Sequence, residues 1–235
     1  MRVALSTICF NEERFIEPFL KHVPDWVEKK LVLVSSKPWY GKQELPDNSA
    51  QIAKKYAEVI QYYWESETDQ RNAGQDYLSE YDWIIVLDPD EFLTDEDWAT
   101  LKDELELATE RAFVVEHQRV FWKDKEVYPH TDYQQIIAVR PSVRFIEHRV
   151  VDTQYATLPV ELLHFSWART DDEIWRKISH YSHTNEFDKE KWYEEVWLGG
   201  KTENLHPLTP ETLKALIPAK LPKKFKELLC SPNKT

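Results

Sequence analysis

Trp83-Ile84-Ile85-Val86-Leu87-Asp88-Pro89-Asp90-Glu91-Phe92 decides how this chain is read. Five apolar residues in a row, closed by acids and a proline, mark a strand buried on both faces. Strands of that kind belong to parallel sheets covered by helices. Working towards the N-terminus, the same grammar repeats. Val3 to Cys9 and Leu31 to Val34 are short apolar runs, and Val59 to Tyr63 is a third. Between them Phe15, Ile16, Phe19, Leu20 and Val23 recur at helical spacing. Asn48 to Tyr56 reads as a helix capped by Asn48 or Ser49, and Asp69 to Leu78 as another. Working towards the C-terminus, Thr94-Asp95-Glu96-Asp97 caps a helix whose apolar stripe is Trp98, Leu101 and Leu105. Strands alternating with helices in this order predict an α/β fold: a mostly parallel central sheet flanked by helices on both faces.

Beyond Ala112 the pattern changes. Ala112 to Trp122, Gln135 to Val139, Val143 to Ile146 and Glu161 to Phe165 read as strands with irregular connections, a small antiparallel portion. Thr170-Asp171-Asp172-Glu173 is a capping box ahead of Ile174, Trp175, Ile178 and Tyr181. Asp188 to Leu198 forms a second helix, and Thr209-Pro210-Glu211 starts a third. The expected organisation is a core over 1–169 with a helical C-terminal region, 170–235, packed on it.

Composition limits the partners. Asp and Glu number 42 against 30 Lys and Arg, a formal charge of −12 over 235 residues. Most of this surface repels a phosphate polyanion, so nucleic acid is excluded as the expected partner. A small diphosphate is still accessible if a divalent cation stands between the two negative groups. The two cysteines, Cys9 and Cys230, imply no disulfide framework. No apolar run approaches the ~20 residues that span a bilayer. Met1 to Ser6 reads as the start of a strand rather than a leader, so the expected setting is cytoplasmic. Lys220, Lys223, Lys224 and Lys226 among Leu221, Phe225, Leu228 and Leu229 suggest either weak contact with an anionic membrane surface or a docked terminal helix. The ten tryptophans suit core packing first and sugar stacking second. Only four glycines, Gly41, Gly74, Gly199 and Gly200, are present. That excludes a P-loop and the glycine-rich entry loop of a nucleotidyltransferase.

Asp88 and Asp90 follow directly on the buried strand, where ligands gather in open α/β sheets. If the segment is extended, alternate side chains face one way and both carboxylates meet one ion. Their oxygens suit Mg²⁺ or Mn²⁺, and Pro89 stiffens the segment. In so acidic a chain such a pair also serves as a solvated turn or a helix cap. His164 is either a third ligand, better matched to Mn²⁺, or a core histidine bound to backbone. His180 and His183 are spaced for a shared metal on a helix, but a solvated face is the plainer reading.

Three segments together resemble the family 2-type glycosyltransferases of the GT-A fold. They are Ile8-Cys9-Phe10-Asn11-Glu12-Glu13, Asp69-Gln70-Arg71-Asn72-Ala73-Gly74, and Trp83 to Leu93. The match spans about Val3 to Leu105; the later part is looser, through His148, His164 to Trp167 and Leu205 to Pro207. The resemblance implies a nucleotide-sugar half at about 1–107 and an acceptor half at about 108–169. It implies that Thr7, Asn11 and Glu12 line the nucleotide pocket with Ser36 and Pro89, and that Arg71 approaches the nucleotide or its diphosphate. Asp88 and Asp90 become the metal-binding acids, with His164 completing the site. The donor is a nucleoside-diphosphate sugar, the acceptor a carbohydrate or glycoconjugate, and the outcome inversion. Ser35-Ser36-Lys37 stands where the family often carries an acidic pair that reads the base.

An inverting enzyme needs a carboxylate to take the acceptor's proton, and Glu161, Asp152 and Glu147 qualify by position. Two other classes fit parts of the pattern. A phosphohydrolase would use Asp88 as nucleophile and Asp90 as acid. A non-catalytic module would bind the sugar nucleotide without turning it over.

Overall fold

The computed structural model describes residues 1–128, 135–201, 205–208 and 215–229. Contacts divide the chain into two units. The first comprises Met1–Trp39, Gln43–Glu116 and Gln134–Leu162; the second Tyr40–Lys42, His117–Tyr133 and Leu163–Thr235. This partition differs from a division at residue 169. Two long strands, Ala112–Trp122 and Ala156–Trp167, each begin in the first unit and end in the second.

In the first unit the elements run β1 (Val3–Cys9), α1 (Glu13–His22), β2 (Lys29–Ser35), α2 (Ser49–Ala53), β3 (Glu58–Tyr62), α3 (Glu67–Tyr77) and β4 (Trp83–Val86). They continue through β5 (Glu91–Phe92), α4 (Asp95–Leu107), the start of β6 (Ala112–Trp122), β8 (Ile136–Val139), β9 (Phe145–Glu147), β10 (Val150–Val151) and the start of β11 (Ala156–Trp167). The sheet order is β6–β8–β4–β1–β2–β3. Strands β4, β1, β2 and β3 are parallel, and β8 runs antiparallel between β4 and β6. A separate antiparallel pair joins β9 to β10. The fold is therefore mixed α/β with a largely parallel central sheet, as expected.

The connections β1-α1-β2 and β2-α2-β3 step one way, and β3-α3-β4 steps back past β1. Right-handed crossovers then place α1 and α2 on one face and α3 on the other. Helices α1 and α2 pack together accordingly, whereas α3 packs on β1 and β2. Gly74 makes that approach close: a Cβ there would run into the Ser6 hydroxyl and lie 3.2 Å from Leu33 Cδ1. The core beneath includes Ala4, Ile8, Leu33, Ile84, Val86 and Phe145, all buried.

The second unit pairs the end of β6 with β7 (Lys125–Tyr128), and β7 with β12 (Ala215–Pro218). It also holds α5 (Asp171–His180), α6 (Lys189–Trp192), a stretch of π-helix (Tyr193–Leu198) and a 3-10 helix (Lys223–Leu228). Its core is built on Trp122, Trp167, Trp192 and Trp197, so these indoles are packing groups.

The expected capping boxes are present at Thr94 with Asp97 and at Thr170 with Glu173. Elsewhere the structure departs from expectation. The helix expected over Asn48 to Tyr56 is only Ser49–Ala53: Lys55 N and Tyr56 N donate three residues back, to Ile52 O and Ala53 O, so the helix gives way to turns, and Asn48 makes no side-chain cap. The helix start at Thr209-Pro210-Glu211 and Cys230 lie outside the described residues, and Ala215–Pro218 is strand. In the basic tail Leu221, Phe225 and Leu228 are buried, so the apolar side is already used within the protein. Among the described residues no helix is long and apolar enough to cross a membrane.

Candidate active site

The ladder between β1 and β4 ends at the pair Ser6 with Val86. Beyond it β1 runs on beside β2 as far as Cys9, while the chain after β4 leaves the sheet. Strand order reverses at this point, since β2 and β3 lie beyond β1 while β4 lies on its other side. Diverging loops at such a switch point leave a crevice where α/β proteins bind ligands. Thr7 lies towards the end of β1 and Asn11 on the loop after it; the loop after β4 carries Asp88, Pro89 and Asp90.

Thr7 is fully buried, and its hydroxyl has no hydrogen-bond partner among the described residues. Asn11 sits at φ 57°, a left-handed conformation that asparagine tolerates better than most residues. Its Oδ1 accepts from Asp47 N (2.8 Å), while its buried Nδ2 has no partner among the described residues. Glu12 N donates to Ser49 Oγ (2.9 Å), which braces the loop as α1 begins. Ser36 is exposed and donates through its backbone N–H to Tyr62 O (2.8 Å).

The acidic segment is a turn rather than an extended stretch, so alternation does not set the directions of Asp88 and Asp90. Glu91 N donates to Asp88 O (2.9 Å), with Pro89 and Asp90 at the two central positions. Proline's fixed φ suits the first of these. Pro89 and Asp90 are buried, Asp90 with 4% exposure.

Asp88 faces two guanidinium groups. Arg71 holds it with both terminal nitrogens, Nη1 to Oδ1 at 3.1 Å and Nη2 to Oδ2 at 2.9 Å. Arg149 Nη1 lies 3.5 Å from Oδ2. Arg71 also donates through Nε to Glu67 Oε1 (2.9 Å), one helical turn earlier. It is 3% exposed. Burial alone would lower the Arg71 pKa, but Asp88 and Glu67 more than offset that and raise it above its usual value. The guanidinium expected to approach a nucleotide is thus engaged with protein carboxylates.

These contacts test whether the turn suits a divalent cation. A carboxylate offers about four lone-pair positions. Arg71 uses two on Asp88 and Arg149 approaches a third, which leaves little for a metal. The donor chemistry nevertheless fits: the turn and its partners bring the carboxylates of Glu67, Asp88 and Glu91, with Asp90 in the same turn, to the guanidiniums of Arg71 and Arg149. Oxygen donors with excess negative charge suit Mg²⁺ or Mn²⁺.

Asp152 is exposed, and its Oδ1 accepts from Arg144 N (3.1 Å) at the β9–β10 hairpin. Glu147 is also exposed. Glu161 is half-buried on β11, its N–H donating to Asp97 Oδ1 (3.1 Å). His164 belongs to the second unit, where its Nδ1 meets Gln118 Nε2 at 2.6 Å. His180 and His183 do not share a helix, because α5 ends at His180. His183 Nδ1 pairs with Glu186 Oε1 at 2.6 Å, a carboxylate partner that the sequence reading did not anticipate.

Sequence reading also missed Glu91 and Arg149. The Asp-Pro-Asp-Glu run contained one of them in plain sight; the other lies 58 positions away and carries no local signal.

No protein-family model matches the chain, and no curated protein does. Among solved structures, S. aureus TarS is similar at 12% identity and TM-score 0.48, over 82% of this chain and 47% of that one. S. aureus TarS 1–349 in complex with UDP-GlcNAc gives 14% and 0.45, over 67% and 58%. A cytidylyltransferase from Leptospira borgpetersenii gives 16% and 0.41, over 60% and 61%. The chain spans about half the length of the first of these, 47%.

Proposed function

We propose that this chain transfers a sugar from a nucleoside-diphosphate donor to an acceptor hydroxyl, with inversion and with a divalent cation at the Asp88–Asp90 turn. The observation that carries the reading is the placement of that turn. It leaves β4 beside the end of β1, at the reversal of strand order, where the buried Thr7 Oγ1 and Asn11 Nδ2 have no partners among the described residues. Orphaned buried groups are costly, and a bound ligand offers them partners.

Asp88 and Asp90 are the proposed metal ligands. When bound, Mn²⁺ or Mg²⁺ would offset the charge that develops on the leaving diphosphate. The chain's own groups do the rest. Thr7, Asn11 and Glu12, with Ser36 and Pro89, line the nucleotide side, and Arg71 orients Asp88. Glu161 is proposed to take the acceptor's proton ahead of Asp152, which is exposed and bound to the Arg144 backbone.

The phosphohydrolase reading is disfavoured by the clamp on Asp88. Two guanidiniums on this carboxylate draw off the charge density that makes a carboxylate nucleophilic. The test is a thermal-shift screen of nucleoside diphosphates with and without Mn²⁺, followed by release of nucleoside diphosphate from its sugar conjugate. One base is expected to raise the melting temperature, chiefly with metal present. Binding without turnover under any acceptor would favour the non-catalytic module instead; no binding at all would sink both.

A further inference from the structure

We infer that Glu91 and Arg149 are a positioning pair, which fixes the acidic turn and sets how much of Asp88 is left for a cation. This rests on the proposed metal-dependent reading of the turn. Glu91 is 1% exposed, and its two oxygens are divided between two duties. Oε2 accepts from Asp88 N at 2.8 Å; Oε1 accepts from Arg149 Nη1 at 2.6 Å. With Glu91 N donating to Asp88 O, residues 88 and 91 are joined by two reciprocal bonds, one backbone and one side chain. A turn tied at both ends in this way has one geometry.

Arg149 is placed as firmly. Its Nη2 donates to Val86 O (2.6 Å) and Ile136 O (2.9 Å), the carbonyls just past the last β4–β8 pair, Ile85 with Ala138. The guanidinium thus closes the ladder where the two strands part. The Gln135 amide, with its oxygen turned to the guanidinium as its neighbours require, accepts from Nε at 3.0 Å. The residue before it, His148, has φ 45°, and its N–H donates to Thr68 Oγ1 (2.9 Å). His148 Nδ1 also lies 3.4 Å from Glu67 Oε2. The hairpin that delivers Arg149 is therefore anchored on the first turn of α3, which also supplies Glu67 to Arg71.

The consequence is electrostatic. Arg149 Nη1 sits between two carboxylates, closer to Glu91 (2.6 Å) than to Asp88 (3.5 Å). With the Glu91 charge removed, Asp88 becomes its stronger carboxylate partner. The guanidinium then closes on Asp88 Oδ2 and takes a lone pair otherwise open to a metal. Glu91 touches neither metal nor donor in this account; it acts through Asp88. Groups that orient metal ligands in this way typically change metal affinity about 10- to 100-fold when altered.

The experiment compares Glu91→Gln and Arg149→Lys with the wild-type chain, by calorimetric titration of MnCl₂ in the presence of UDP or GDP. Titration of each nucleotide without metal is the control, and amide hydrogen exchange over residues 88–92 is read in parallel. The expected result for folded Glu91→Gln is Mn²⁺ affinity weaker by about tenfold, with metal-free nucleotide affinity unchanged and faster exchange over 88–92. A general structural lesion would weaken both titrations alike, which would overturn the proposal. So would a folded variant with wild-type Mn²⁺ affinity. If Glu91→Gln does not fold, Arg149→Lys carries the same comparison, since it keeps the charge and loses the fork. If the wild-type chain binds neither Mn²⁺ nor nucleotide, the metal reading has failed by itself. The pair is then judged on exchange alone: unchanged protection over 88–92 rejects it.

Discussion

The first unit gathers charge where the second gathers indole rings. In the first, Arg71, Arg149, Glu67, Asp88 and Glu91 interlock around one turn, and most of them are buried. In the second, Trp122 meets Trp197 with ring centroids 4.7 Å apart, and Trp167 meets Trp192 at 5.4 Å. Their polar edges are satisfied individually: Trp192 Nε1 donates to Leu205 O (3.0 Å) and Trp197 Nε1 to Asp171 Oδ1 (2.7 Å). Aromatic packing stabilises by area and requires little of direction. Buried charge is expensive to desolvate and contributes little net stability over an apolar filling. A cluster of it at the carboxyl ends of parallel strands is better understood as holding a site in one geometry than as holding a fold together.

That contrast can be broken. The largest effect is expected from Trp122→Ala, which removes a ring at the centre of the aromatic core. A loss of about 3–5 kcal/mol in urea unfolding is expected, with amide protection falling first in the second unit. Equal loss of protection in both units would mean that their cores do not behave separately.

Next comes pH. His206 is held well below its ordinary value, to about 4, first by burial and then by His183 and His164. A histidine with a lowered folded pKa makes the unfolded chain bind the proton more readily. Its contribution is fully present above about pH 6.5 and is lost as pH falls from there towards 4. The loss is on the order of 3 kcal/mol, and His206→Gln should flatten a melting curve measured across that window. An unchanged slope would remove His206 as its cause.

Gly74→Ala tests the first unit. The added methyl crowds Ser6 and Leu33, with an expected cost of about 1–3 kcal/mol in chemical unfolding and faster exchange in α3 and β1. The smallest effect is expected from Thr170→Ala, about 1 kcal/mol from the lost α5 cap, with little change in the first unit.

The same contrast explains what the sequence discloses. Strands β1, β2 and β4 are legible because uninterrupted apolar runs need no partner to be recognised. Helices α4 and α5 are legible because their capping boxes lie within four residues. Asp88 and Asp90 are legible as a pair, but their surroundings are not. Arg71 reaches Asp88 across 17 residues and Arg149 reaches Glu91 across 58, and such distant pairings leave no periodic trace. Extended alternation was therefore the wrong geometry for a segment that a buried glutamate folds into a turn. Strand β7 escapes for a local reason: its hairpin turns at Lys123, φ 52°, without the glycine or asparagine that usually announces such a turn.

The central claim is that the acidic turn after β4 carries a divalent cation for a nucleoside diphosphate. Its most direct test is calorimetric titration of UDP and GDP into wild-type chain and Asp90→Asn, each with and without Mn²⁺. The account predicts that one nucleotide binds the wild type at least tenfold more tightly with metal, a difference of about 1.4 kcal/mol, and that Asp90→Asn abolishes that gain. A folded Asp90→Asn chain that keeps the full metal-dependent gain would contradict it.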